Sequence, residues 1–169
     1  MKEIIKEILN DMAVSDCWDM DNSGYYLFLI LEMNIRYKTL QERLNVYSSY
    51  GINDRYLSIE LNNEELLEIA KFLEQMGINS QKDLSQLFPI IGKLPKDFGF
   101  QTLGKIVVSR ESFSGKEIKQ ILWAIDLLAD YGEKISDFSI IEFLGKIVFS
   151  SDNEISEKAK SFLLWLHIW

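Results

Sequence analysis

The sequence predicts an all-α protein built from stacked antiparallel helix pairs. Apolar residues recur at helical spacing along most of the chain. Asn or Ser followed three residues later by Glu precedes several of these runs, the pattern of a helix capping box. Only 2 prolines and 9 glycines occur in 169 residues, too few for the many tight turns of a β-sandwich. A chain of this length suits one domain over residues 1–169, and about 70 % of its unfolded surface is expected to be buried on folding. With 47 % hydrophobic residues, it can build a core without metals or disulfides.

The elements follow in order. Ile4, Ile5, Ile8, Leu9 and Met12 share one face of a helix over residues 2–13. Polar "SDCWDMDNSG" then interrupts. From Tyr25 to Tyr50 the chain is apolar and then amphipathic, with Leu40, Leu44 and Tyr47 at helical spacing, which reads as one or two helices. "YYLFLILEMNIRY" and the alternating "RYLSIEL" (55–61) also fit strands, so a short β-ribbon within 25–61 is the alternative. Asn62 and Glu65 form a capping box before Leu66, Leu67, Ile69, Ala70 and Leu73, with Gly77 as the stop. Ser80 opens a helix through Leu84, Leu87 and Phe88 that Pro89 limits. Ser114 and Glu117 cap Ile118, Ile121, Leu122, Ile125 and Leu128; Ser139 with Glu142 and Ser151 with Glu154 repeat the device. "SYGIN", "QMGIN" and "DYGEK" each place a glycine (Gly51, Gly77, Gly132) where a left-handed residue would close a helix.

The most specific pattern is an internal repeat. "LGKIVVSRESFSGKEIKQILWAI" (103–125) aligns without gaps with "LGKIVFSSDNEISEKAKSFLLWL" (144–166). Leu103, Gly104, Lys105, Ile106 and Val107 match Leu144, Gly145, Lys146, Ile147 and Val148. A period of about 41 residues resembles the HEAT and armadillo class of helical repeats. The resemblance implies two-helix units, approximately 97–132 and 137–169, each unable to bury its apolar faces alone and therefore stacked on its neighbour. The proline of the HEAT first helix and its regular Asp and Arg positions are absent, so an irregular helical bundle is the other arrangement the sequence allows.

Little in the chain points to catalysis. Asp19, Asp21, Ser23 and Gly24 begin a pattern like a calcium loop, but its twelfth position is Ile30, where a bidentate Glu belongs. One histidine, His167, and one cysteine, Cys17, cannot make a zinc site or a conventional triad. No phosphate-binding or dinucleotide-binding loop is present, and no catalytic residue, metal ligand or cofactor is expected. Chemistry using carboxylates alone stays open as an alternative, because paired acids need not be near in sequence. The single cysteine and the acids in the N-terminal segment fit a cytoplasmic protein rather than a secreted one. The longest apolar run, "YYLFLIL", is too short to span a membrane.

The acids are the remaining signal. Net charge is −8, from 26 acidic and 18 basic residues, which disfavours nucleic acid as a direct ligand. Three acidic clusters stand out: Glu7, Asp11, Asp16, Asp19, Asp21 and Glu32; Glu60, Glu64, Glu65 and Glu68; Asp126, Asp130, Glu133 and Asp137. Within them Asp16, Asp19 and Asp21 around Trp18, then Glu60, Glu64 and Glu68, then Asp126 and Asp130 are the candidate partner-binding residues. Like charges one helical turn apart repel by a few tenths of a kcal/mol, a penalty that a cationic partner lying across them offsets. An aromatic anchor in an acidic rim, as at Trp18, has the composition of an interface hot spot. Trp165 and Trp169, with Phe162, Leu163 and Leu166, are expected to seal the end of the stack, and if exposed would suggest a dimer; monomer or weak homodimer is the expectation.

A small, acidic helical protein with the stretch "SDCWDMDNSG" and no catalytic motif resembles the immunity proteins of contact-dependent growth inhibition and related interbacterial systems. The resemblance implies a cognate toxin, basic and nuclease-like, whose active or substrate-binding surface an acidic face would cover. A HEAT-like adaptor that binds a partner's helix or peptide in a groove is the alternative function.

Overall fold

A computed structural model describes residues 2–14, 23–129 and 135–167, with side chains through Trp165. Ten α-helices occupy the described residues, and no strand occurs among them. They are α1 (Glu3–Val14), α2 (Ser23–Arg36), α3 (Leu40–Tyr47), α4 (Asp54–Leu57), α5 (Asn63–Asn79), α6 (Leu87–Ile91), α7 (Lys96–Val108), α8 (Gly115–Leu128), α9 (Phe138–Ile147) and α10 (Asn153–His167). The protein is all-α.

From α5 onward the helices form two layers. In one, α5 packs on α7 and α7 on α9; in the other, α6 packs on α8 and α8 on α10. α2 extends the second layer by packing on α6, and α1 lies against α2. Within this array α7–α8 and α9–α10 are the two copies of the sequence repeat. Equivalent residues fill equivalent places: Leu103 and Leu144 are fully buried, as are Ile121 and Phe162 nearly so. Phe113 sits edge-on between Phe88 and Phe143, with ring centroids 6.2 and 6.0 Å away, and so joins α6 to α9.

The ribbon alternative within 25–61 is not formed. Residues 25–36 are helical, and Leu27, Ile30, Leu31 and Met33 are completely buried. Residues 54–57 form α4, and 59–62, neither helix nor strand, pair with side chains instead of a neighbouring strand. Arg43, only 2 % exposed, donates to the carbonyls of Tyr37 (2.7 Å), Leu57 (3.1 Å) and Ile59 (2.9 Å). Asn34 of α2 donates to the Ile59 carbonyl and accepts from the Leu61 amide. These two side chains supply the partners that a neighbouring strand would otherwise provide.

A partly buried triad joins α2, α3 and the turn after α6. Glu32 accepts from the Tyr47 hydroxyl (2.9 Å) and pairs with Lys93 (3.1 Å). Burial first, and Glu32 second, push the Tyr47 phenol above the ordinary tyrosine range.

Several boundaries depart from the sequence expectation. The capping boxes of α5 (Asn62, Glu65) and α8 (Ser114, Glu117) form as expected. α9 is instead capped by Asp137, whose carboxylate accepts from the Ile140 amide, not by Ser139. At α10 the carboxylate of Asp152, not Ser151, accepts from the amides of Glu154 and Ile155. Acceptors at Asp137 and Asp152 outcompeted the serine-based reading because carboxylates serve the same role. The helix expected from Ser80 to Phe88 is α6, running Leu87–Ile91; Pro89 lies in its first turn, where the missing N–H has no helical partner to lose. Gly51 is left-handed (φ 67°), but Gly77 stays helical, because close packing rather than chain reversal requires it. A Cβ there would lie 2.5 Å from Ile106 of α7. Gly132 lies outside the described residues.

Candidate interaction surface

The first surface begins at the α5 capping box. Asn62 accepts from the Glu65 amide (2.8 Å), and Glu65 returns to the Asn62 amide (3.3 Å), which fixes the first turn. That geometry divides the neighbouring acids. Glu65 turns inward and pairs with Lys2 at 3.1 Å. Burial pushes its carboxyl up, but Lys2 and the Asn62 amide outweigh it, leaving the pKa below the usual glutamate value. Glu64 and Glu68 point outward one turn apart, with Glu60 just before them, and all three are exposed. Lys2 donates to the backbone carbonyl of Glu60 and is engaged by Glu65. Among the described residues, no cation pairs with the carboxylates of Glu60, Glu64 or Glu68.

The second surface is a cleft of about 470 Å³ between α8 and α10. Its floor is Leu122 and Ile155, both buried, and one wall is Trp123, 43 % exposed. The rim is charged but internally paired. Lys158 reaches Asp126 (3.6 Å), and Lys119 reaches Glu154 (3.0 Å) and Asp152 (3.5 Å). The Glu154 hydrogen bond, reinforced by Asp152, holds the Lys119 pKa above the usual lysine value. The Ile155 amide, with help from Lys119, holds Asp152 below the usual aspartate value. Glu65, Asp83 and Asp152 all move down, the direction of a stabilised carboxylate and opposite to that of a general acid working at neutral pH.

No protein family, curated protein or solved structure matches this chain.

The residues singled out from sequence are thus not gathered into one site. Glu60, Glu64 and Glu68 form a single ridge at the start of α5, in the α5–α7–α9 layer. Asp126 belongs to α8 in the other layer and is neutralised by Lys158. Asp16, Trp18, Asp19, Asp21 and Asp130 lie outside the described residues. Ile30, the twelfth position of the calcium-loop pattern, is wholly buried in α2. Among the described residues, no group of three His, Cys, Asp or Glu side chains could hold a metal ion. No described helix is long and apolar enough to cross a membrane.

Two residues were missed. Trp123 lies off the Ile118–Ile121–Leu122–Ile125 face, between Lys119 and Asp126 on the polar side of α8; a large aromatic at that angle is a readable signal of an exposed anchor. Glu117 was read only as a capping residue. It is 6 % exposed and also accepts from the Leu84 amide (2.9 Å) and Arg110 (3.3 Å), tying the 80–84 segment to α8. Its burial depends on tertiary contacts that spacing alone does not encode.

Proposed function

We propose that this chain is an immunity protein that binds and neutralises a basic, nuclease-type toxin, with the Glu60–Glu64–Glu68 ridge as part of its contact surface. The observation that carries the reading is the contrast in pairing. Among the described residues, Glu65, Glu74, Glu117, Asp126, Glu142 and Glu154 each have a cation, whereas the three ridge acids, like Glu3 and Glu7 of α1, have none. Unpaired like charges at one-turn spacing are the arrangement that a cationic surface complements. In this reading the protein catalyses nothing and acts in the cytoplasm. Steering by the −8 net charge gives fast capture, and salt weakens it.

The test is a pull-down from the source cell at low and high salt, followed by association kinetics with the recovered protein. One basic polypeptide released by salt supports neutralisation. Reversing Glu60, Glu64 and Glu68 to Lys should slow association by roughly tenfold or more; an unchanged on-rate removes the ridge. The Trp123 cleft favours a second reading, an adaptor that takes a partner's helix. Its signature is a salt-resistant partner lost on Trp123→Ala.

A further inference from the structure

The geometry points to a second copy of this chain as the occupant of the outer face of α9, in an antiparallel, two-fold-symmetric helix pairing. This inference is independent of the toxin-binding reading, which concerns α5.

The repeat shows where the stack is incomplete. In the α5–α7–α9 layer each helix carries a glycine on which the next one rests. A Cβ on Gly77 would strike Ile106 of α7, and one on Gly104 would strike Asp137 at the start of α9. Gly145, the repeat equivalent of Gly104, faces open space. Around it lies an apolar stripe. Phe149 is 89 % exposed and Phe138 78 %, while Ile141 and Val148 are half-buried. With the helical path continued through the turn at 148–149 that follows Ile147, 100° per residue puts these side chains and Gly145 in a sector about 100° wide, the width of a face that packs on a neighbour. The opposite face of α9, with Ile140, Phe143, Leu144 and Ile147, is already buried.

What identifies the occupant is that the stripe complements itself. An antiparallel copy centred near residue 143 sets Phe138 against Phe149 of the other copy. The same register sets Ile141 of each copy over Gly145 of the other, a ridge into the gap left by the missing side chain. On the same flank as the phenylalanines, Glu142 and Lys146 now form an exposed i,i+4 pair at 3.5 Å. Two-fold symmetry brings Glu142 of each copy to Lys146 of the other, so charge and shape agree in one register. A contact centred on a helix of ten residues, about 15 Å long, is small, so the dimer forms reversibly.

Sedimentation equilibrium on the full chain tests this over a concentration series reaching the sub-millimolar range. The expected result is a weight-average mass rising from 19.7 kDa toward twice that value. Gly145→Glu fills the gap in space that is free in the single chain; it should keep the mass at 19.7 kDa with an unchanged or raised melting temperature. In a Cys17→Ser background, a Phe138→Cys copy mixed with a Phe149→Cys copy should give the mixed disulfide. Same-residue pairs lie too far apart along the helices in this register. A wild-type chain that stays at 19.7 kDa throughout, a Gly145→Glu variant that dimerises as before, or disulfides only between like copies would each overturn the proposal.

Discussion

The α7–α8 and α9–α10 units share a motif and a helix-pair geometry, yet one is enclosed and the other is a terminus. Leu-Gly-Lys-Ile-Val opens both repeats. In the first, Gly104 receives Asp137; in the second, Gly145 receives nothing. Val107 is buried, and its counterpart Val148 is half-exposed. Position for position, Glu117 of the first unit is a buried, fully bonded acid, while its counterpart Lys158 is a surface cation. A motif therefore records which helix surface is to be packed, and position in the stack decides whether it is.

The sharpest way to break this comparison is at the two glycines. Gly104→Leu should destabilise the protein by about 2–4 kcal/mol, because it displaces the Asp137 cap as well as overpacking the helix contact. Gly145→Leu should be neutral or stabilising in thermal melts at low concentration, by up to about 1 kcal/mol, since only helix propensity changes. Equal losses at both would mean that the units are packed alike. Next comes Glu117→Ala, which leaves the Leu84 amide and Arg110 without their acceptor and should cost about 2 kcal/mol in urea titration; Lys158→Ala, breaking a half-exposed pair, should stay within about 0.5 kcal/mol. Ser114→Ala removes one cap bond of α8 and should cost about 1 kcal/mol.

The smallest effect concerns the caps under acid. Serine caps α8, but a carboxylate caps α10, and the Asp152 pKa is depressed by the Ile155 amide and Lys119. A depressed folded pKa gives stability that is present above the unfolded value, about 3.9 for aspartate, and is lost as pH falls through the folded value. Amide protection in the first turn of α10 should therefore decline below about pH 4, and Asp152→Ser should flatten that decline. An identical profile in the variant would show that Asp152 does not hold the turn.

Much of this architecture was legible because it is local. The buried faces of α1, α5 and α8 follow from apolar spacing, and the Asn62 and Ser114 boxes from short-range chemistry. The repeat located α7–α10 and marked Gly104 and Gly145. What was not legible depends on partners distant in sequence. Residues 55–61 alternate like a strand, yet 55–57 are helical in α4, and only the presence of Asn34 and Arg43 shows why Ile59 and Leu61 need no ladder. Asp126 looked free until Lys158, a helix away, was placed beside it. The ridge at Glu60, Glu64 and Glu68 was readable as a stripe, but its lack of cations was not.

Arg43 also governs how one stretch of the chain exchanges with solvent. Its guanidinium is bonded to three carbonyls and the Asn34 side chain, and no described carboxylate balances it. Arg43 thus cross-links the 37–61 excursion through three carbonyls that lie within it, and its contact with Asn34 ties the excursion to α2. Residues 37–61 should consequently open to solvent as one cooperative unit. The Leu61 amide, which donates to Asn34, reports that event: its deuterium exchange should accelerate on Arg43→Met while amides of α8 keep their native rates.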